Sequence, residues 1–297
     1  MLWVLLALPV LAAGACAALA WLLCGRQSPS APPDPAASAE LQRWLDARVT
    51  VRIEVESDDG LPLRALFVPR KNPRGTVLLF HDRCASCVSD YPGTAQFLYE
   101  TGFQLILTDG RAHGKSKGRW CSYGLWERFD ARAWCQYCSM RFPDGHPLFL
   151  FGQGLGGAAV LGAAGLELPG NVRGVVSEGA FTSPREFLER VLNATPLPPG
   201  AALRMANAAI RALTGFSLYD PGAEDRVRDA AYPALFIHGT ADTVVPPDMA
   251  RRLFSACASE KQLLMVEGGT HTRCRNAAPE EYDQTLGFFL DAYLRHG

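Results

Sequence analysis

Two late segments carry residue types suited to acid–base chemistry. Ile237-His238-Gly239-Thr240-Ala241-Asp242-Thr243-Val244-Val245-Pro246 presents an aspartate just beyond a short apolar run, and Glu267-Gly268-Gly269-Thr270-His271 presents a histidine just beyond the next. An aspartate that accepts from one imidazole nitrogen fixes the tautomer and leaves the other nitrogen to move a proton. Upstream lies Phe151-Gly152-Gln153-Gly154-Leu155-Gly156-Gly157, also after an apolar run. A turn of the form G-x-S-x-G exposes a nucleophilic serine at a helix N-terminus. Here Gly152 and Gly156 take the outer positions and Gly154 takes the serine's. The turn is kept and the nucleophile is absent.

These segments need a scaffold that brings several strand ends together. Short apolar runs at Val77–Phe80, Leu105–Leu107, Leu148–Phe151, Val172–Val176, Ala234–Ile237 and Leu263–Val266 alternate with helical stretches. Such runs are strands buried on both faces, and the alternation predicts a mostly parallel, doubly wound α/β sheet. Ahead of them, Thr50–Glu56, the turn Asp58-Asp59-Gly60 and Leu61–Val68 form a β-hairpin. Ligands in open α/β sheets bind at the carboxyl ends of strands, where Asp242, His271 and Gly154 all fall. Between Pro184 and Asp229, three prolines (Pro196, Pro198, Pro199) split two helical segments of an insertion.

Two more strand ends fit this layout. The first is His81-Asp82-Arg83 and the second is Asp109-Gly110-Arg111-Ala112-His113-Gly114-Lys115-Ser116-Lys117-Gly118. With these in place, the chain from the hairpin to the C-terminus resembles bacterial α/β-hydrolases of the serine-hydrolase type, S9- or S33-peptidase-like. The likeness is strongest at Arg111–Gly118, Tyr123-Gly124 with Glu127-Arg128, Phe181-Thr182-Ser183-Pro184, and Leu235–Pro246. The resemblance implies an α/β-hydrolase fold with a cap over residues 184–229. It assigns Asp242 as the acid and His271 as the general base. It assigns the oxyanion hole to the backbone N–H groups of Arg83 and Leu155, and a structural role to the loop carrying His113 and Ser116. It implies an acyl or peptidyl substrate, or another small-molecule ligand, in the capped pocket. Ester, thioester or peptide hydrolysis through a Ser-Asp-His triad would follow only with a serine at 154. The expectation is a weak or inactive hydrolase that binds a ligand, in which Gly154→Ser restores activity. Asp82 departs from the family's glycine after the histidine and is the first suspect if rescue fails. A hydrolase using water or an unconventional nucleophile with His271 and Asp242 is the alternative.

The same glycines admit another reading. Gly152-x-Gly154-x-x-Gly157 matches a dinucleotide fingerprint, with Glu178 placed where a ribose-binding acid belongs. That reading leaves the hairpin and the Asp242 and His271 loops unexplained. Cys84-x-x-Cys87 and Cys135-x-x-Cys138 have zinc-site spacing, but the fold puts the pairs at opposite edges of the sheet, so local disulfides or free thiols rank above metal. No cofactor or metal is expected.

Composition sets the remaining bounds. The chain has 297 residues, a net charge of −1 and 48% hydrophobic residues, enough for one large domain and without a basic field for nucleic acid. Leu2–Cys24 holds no charged residue and is long enough to cross a bilayer as a helix. Residues 1–24 are therefore expected to be an uncleaved transmembrane anchor, with a signal sequence as the competitor. Residues 25–40 are expected to be a linker, with a short amphipathic helix from Leu41 to Ala47, and residues 41–297 the hydrolase domain. Arg26, the only basic residue tight against the run, favours a cytoplasmic body only weakly. Removing residues 1–26 is expected to leave a soluble, folded domain.

Overall fold

The computed structural model describes residues 2–26, 35–83, 85–196 and 198–294, with residues 2–11 as backbone. Eight strands form one sheet in the order β1-β2-β4-β3-β5-β6-β7-β8. They are β1 (Val51–Glu56), β2 (Pro62–Val68), β3 (Thr76–Phe80), β4 (Gln104–Thr108), β5 (Leu148–Gln153), β6 (Val172–Glu178), β7 (Ala234–Gly239) and β8 (Lys261–Val266). The β1–β2 hairpin is antiparallel and β2 joins β4 antiparallel; β3 to β8 are parallel to their neighbours. Every residue of β3, β4 and β5 is buried, which is why these strands read as unbroken apolar runs.

The helices are α1 (Leu2–Cys24), α2 (Pro35–Asp46), α3 (Thr94–Glu100), α4 (Glu127–Arg141), α5 (Leu155–Ala164), α6 (Pro184–Asn193), α7 (Pro199–Thr214), α8 (Ala223–Arg226), α9 (Pro247–Ala256), α10 (Cys274–Ala277) and α11 (Pro279–Leu294). Two apolar clusters cover the two faces of the sheet. One gathers α4, α5 and the insertion around Leu78, Leu150 and Phe236, and the other gathers α2, α3 and α11 around Leu79, Phe149 and Phe151. Between β6 and β7, α6 begins at Pro184 with Ser183 accepting from the Glu186 N–H, a standard N-cap. Helix α7 also starts on a proline and ends at Gly215 in the left-handed region.

The loop after β4 is structural. Asp109 accepts from Cys87 N–H (2.9 Å) and Lys115 N–H (2.7 Å), and Ser116 Oγ donates to Asp109 O (2.6 Å). Arg111, 6% exposed at its side chain, bonds Asp130 and Asp59. Burial raises the Asp130 carboxyl to about 6 even against Arg111.

Two expectations about the N-terminal region change. Residues 35–40 belong to α2, so the helix starts before Leu41 and only part of the expected linker is left; residues 27–34 lie outside the described residues. The transmembrane helix expected over residues 1–24 is not found: among the described residues, no helix is long and apolar enough to cross a membrane. Instead, the last turns of α1 pack onto the body, burying Ala20, Leu23 and Cys24. Leu23 O accepts from Tyr123 OH (2.5 Å) and from the Arg83 guanidinium (2.9 Å), and Cys24 O accepts from Cys121 N–H (2.7 Å). Arg26 then bonds the carbonyls of Gly114, Ser116 and Gly118. Those contacts bear on the stability of the soluble, folded domain expected once residues 1–26 are removed. Removing them is expected to destabilise the domain, burial of Leu23 alone being worth about 1.5–3 kcal/mol. Removing residues 1–18 is expected to leave stability close to that of the full chain. Comparative thermal melts check this, and equal melting of the two truncations would contradict it.

Candidate functional site

The turn between β5 and α5 is tight because Gly152, Gly154 and Gly156 carry no side chain. At Gly152 and Gly156 a Cβ would collide with the backbone of Gly156 and Phe80 respectively, and Gly154 has φ +50°. Glycine relieves the strain that any L side chain meets there. Gly154 N–H donates to Glu178 O (2.8 Å), tying the turn to β6.

Asp242 and His271 meet as the chain order predicts. Asp242 Oδ2 lies 2.7 Å from His271 Nδ1 and 3.4 Å from His238 Nε2. Its Oδ1 accepts from Val244 N–H (2.9 Å) and Val245 N–H (2.8 Å). Burial raises its carboxyl, but hydrogen bonds from His238, His271 and the Val245 N–H outweigh it and hold Asp242 well below the usual carboxylate range.

The other face of His271 meets Asp82. His271 Nε2 lies 3.2 Å from Asp82 Oδ2, and Asp82 Oδ1 accepts from Leu155 N–H at 2.7 Å. The Arg83 backbone N–H also bonds this carboxylate. Both donors expected to form the oxyanion hole, Arg83 and Leu155, are thus directed at the protein's own anion. A Cβ built on Gly154 would fall on the Asp82 carboxyl group. The carboxylate fills the space where a serine at 154 would place its side chain, and it touches the same imidazole nitrogen.

The loop that delivers Asp82 is held at its backbone. Asp90 Oδ2 accepts from Asp82 N–H (2.7 Å), and His81 lies between Asp82 O (2.6 Å to Nδ1) and Gly110 N–H (3.0 Å to Nε2). Since Gly110 N–H must donate, Nε2 accepts and His81 carries its proton on Nδ1, donating to Asp82 O. Burial, then the neighbouring Asp82 charge, push the Asp90 carboxyl up.

Charge settles the state of His271. Burial disfavours its cation, but hydrogen bonds and charges from Asp242 and Asp82 raise it to about 10. Burial raises Asp82 too, but His271 and the Leu155 and Arg83 N–H groups bring it below its ordinary value. At neutral pH the cluster is a carboxylate–imidazolium–carboxylate, and its base is already protonated. The stability from His271 is complete below its unfolded value of about 6.5 and lost as pH rises through about 10. That from Asp82 and Asp242 is present above about 4 and lost as pH falls through their lowered values.

The structure places Asp242, His271, Gly154 and Leu155 at one edge of the sheet and adds to them the side chain of Asp82, which the sequence marks only as a departure from the glycine expected after His81. His113 is not part of the cluster. Its Nδ1 lies 2.8 Å from Arg111 O, and burial lowers it to about 3, so it stays neutral. Ser122 bonds Glu127, Ser183 caps α6 and Ser177 has no hydrogen-bond partner. None of them is on the turn. Glu178 is 1% exposed and is fully engaged by Gln153, Tyr282 and the Cys274 N–H. It offers nothing to a ribose, and the dinucleotide reading of Gly152, Gly154 and Gly157 loses its acid. Cys135 and Cys138 are buried free thiols on α4, not a disulfide, and Cys84 lies outside the described residues. Among the described residues no cluster is suited to a metal ion.

Beside the cluster is a cavity of about 140 Å³ lined by Asp82, Arg83, Tyr123, Phe181, Phe187, Val244 and His271. Phe181 and Phe187 stack with centroids 4.8 Å apart, and the Arg83 guanidinium lies 5.5 Å from the Tyr123 ring.

The chain matches the family model described as "Serine aminopeptidase, S33" over residues 71–215 and that of "Serine hydrolase (FSH1)" over residues 201–272. It is 26% identical to the uncharacterized protein YfhR of Escherichia coli K12 over 227 residues, 74% of this chain and 72% of that one. It is 29% identical to the uncharacterized protein Rv2307c of Mycobacterium tuberculosis over 247 residues, 82% of this chain and 78% of that one. Among solved structures, the Pyrococcus furiosus esterase Pf2001 superposes with a TM-score of 0.68 at 16% identity, covering 91% of this chain and 98% of its own. Est1E of Butyrivibrio proteoclasticus with bound ferulic acid superposes with a TM-score of 0.61 at 18% identity, covering 82% and 99%.

In nitrogen-15 NMR spectra, His271 is expected to remain an imidazolium at pH 7–8, its midpoint near the value of about 10 set by its two carboxylates. Asp82→Asn should bring that midpoint down. A midpoint between 6 and 7 in the wild type would show that Asp82 does not face the ring.

Proposed function

The chain belongs to the α/β-hydrolase family, and from that premise we propose that it is a small-molecule-binding member in which serine-type hydrolysis is closed. One contact carries this reading: the Asp82 carboxylate bonded to Leu155 N–H at 2.7 Å, beside Gly154. Turnover of an ester, thioester or peptide by the family's route needs a nucleophilic oxygen at 154, a neutral His271 and an open oxyanion hole. Gly154 supplies no oxygen, His271 is protonated, and Asp82 lies in the hole. Activation of water by His271 meets the same obstacle, since its Nε2 is engaged by Asp82. What is left is a small pocket with aromatic walls and two cations in its lining, Arg83 and the His271 imidazolium, suited to a compact ligand. The structural neighbour with ferulic acid supports a small molecule as the ligand class.

The site also alters the consequence of restoring a serine. In Gly154→Ser the new Cβ meets the Asp82 carboxyl and a φ of +50°. The single substitution is therefore expected to stay unlabelled by a fluorophosphonate and inert to p-nitrophenyl esters, like the wild type. Combined with Asp82→Gly, the serine has room and the two N–H donors are free. The double variant is expected to label, with ester turnover rising about a hundredfold or more, in keeping with triad residues acting as a unit. Labelling of the wild type would refute the closed site, and equal rescue by Gly154→Ser alone would refute the role given to Asp82.

The uncharged run Leu2–Cys24 supports placement at a membrane through the N-terminal helix, whose residues 12–15 are exposed away from the body. Full-length protein is then expected to float with membranes at neutral pH. Recovery of soluble protein at full mass would contradict that placement.

A further inference from the structure

Four basic side chains surround the point where α1 meets the body. Arg26 stands two residues after the uncharged run Leu2–Cys24, and the loop after β4 presents Lys115, Lys117 and Arg119, all of them exposed. We propose that this face binds the headgroups of anionic lipids and sets the carboxyl edge of the sheet, with its pocket, against an acidic bilayer surface. The inference rests on the reading that the N-terminal helix places the protein at a membrane, and it adds the lipid class and the face of the body that meets it.

The loop and the end of the helix are fastened to each other. Arg26 donates to the carbonyls of Gly114 (2.7 Å), Ser116 (2.9 Å) and Gly118 (3.3 Å). Gly25 and Trp120 form an antiparallel bridge, and Cys121 N–H donates to Cys24 O at 2.7 Å. Alternation along the loop then decides what faces out. Ser116 is buried, its Oγ accepting from Arg64 N–H at 2.7 Å and donating to Asp109 O, and Lys115 and Lys117 on either side of it are left exposed. The pocket lies on the same side: Leu23 O, at the end of α1, accepts from Tyr123 and Arg83, two residues of its lining.

Charge and apolar surface together select the partner. Of the four acids in the neighbouring hairpin, Glu54, Asp58 and Asp59 pair with Arg64, Arg132 and Arg111, which leaves Glu56. Among the described residues Lys115, Lys117 and Arg119 form no ion pair, and Arg26 bonds carbonyls rather than an acid. The face carries an excess of positive charge in a chain whose net charge is −1. Beside it, Trp21 is 48% and Leu22 68% exposed, and the Trp21 ring meets Trp120 edge-on with centroids 5.4 Å apart. Indoles and basic side chains at the end of an apolar helix are the composition of a membrane–water interface. A nucleic acid would meet the cations but leave Trp21 and Leu22 in water, whereas a bilayer takes up both. Neutral lipid gives the cations nothing. An acidic surface gives each of them about fivefold in affinity, within the reach that salt allows.

The lysines themselves report the contact. The chain has four, and the other two, Lys71 ahead of β3 and Lys261 at the start of β8, lie at the amino edge of the sheet. The full chain is added to vesicles of phosphatidylcholine alone or mixed with phosphatidylglycerol, treated with a water-soluble acetylating reagent and mapped by mass spectrometry. On mixed vesicles Lys115 and Lys117 are expected to lose reactivity relative to Lys71 and Lys261, and on phosphatidylcholine alone to keep it. In flotation, substituting Lys115→Gln, Lys117→Gln and Arg119→Gln together should weaken binding to mixed vesicles about a hundredfold at low salt, with binding to phosphatidylcholine and thermal melting unchanged. Equal reactivity of the four lysines on mixed vesicles, full binding to them by the triple variant, or the same protection by soluble DNA would each overturn the proposal. A wild type that floats equally with both kinds of vesicle refutes the lipid class alone, whereas one that floats with neither refutes the membrane placement beneath it.

Discussion

A single hydrogen bond organises the site: Leu155 N–H donates to Asp82 Oδ1. It exists because residue 154 has no Cβ. In this fold the first N–H of the helix after β5 waits at a helix N-terminus for a negative charge. Here the charge comes from the next loop along the sheet edge. The same carboxylate then pairs with His271 Nε2, and the imidazole is left between two acids. The protonation of His271, the occupied oxyanion donors and the cavity's shape all depend on that placement.

The rest of the scaffold holds Asp82 there. Asp90 fixes its backbone N–H and His81 its carbonyl, while Gly110 N–H fixes the tautomer of His81. Arg83, the next residue, reaches the carbonyls of Leu22 and Leu23 at the end of α1. The loop is therefore held from the sheet side and from the N-terminal helix. A polar network with these partners satisfied holds one geometry, and here the geometry it holds is that of Asp82.

Much of the fold is legible in the chain because buried parallel strands have no polar face to obscure their pattern. All eight strands coincide with apolar or alternating segments, and Asp242 and His271 follow their strands in the expected order. Asp82 was less legible. Its identity departs from the glycine expected after His81, and Gly154 departs from the expected serine, but nothing along the chain says that the two departures share one volume. That depends on a rotamer and on a close approach between loops 72 residues apart, which periodicity does not encode. A paired reading of the two would have raised the idea: one position loses a side chain and its neighbour in the fold gains one. The end of α1 was misjudged for a different reason. An uncharged run looks the same whether its apolar surface faces lipid or the cap, and here Ala20, Leu23 and Cys24 face the protein.

The central claim is that Asp82 and His271 form a charge pair in the folded protein. A double-mutant cycle in chemical denaturation with Asp82→Asn and His271→Gln measures that pair directly. The geometry predicts a coupling of about 1–3 kcal/mol at pH 7, the range for residues in one charged network. Losses that add to within about 0.5 kcal/mol, as for independent sites, would contradict it, because Asp82 would then be turned away from the imidazole and the hole beside Gly154 would be open.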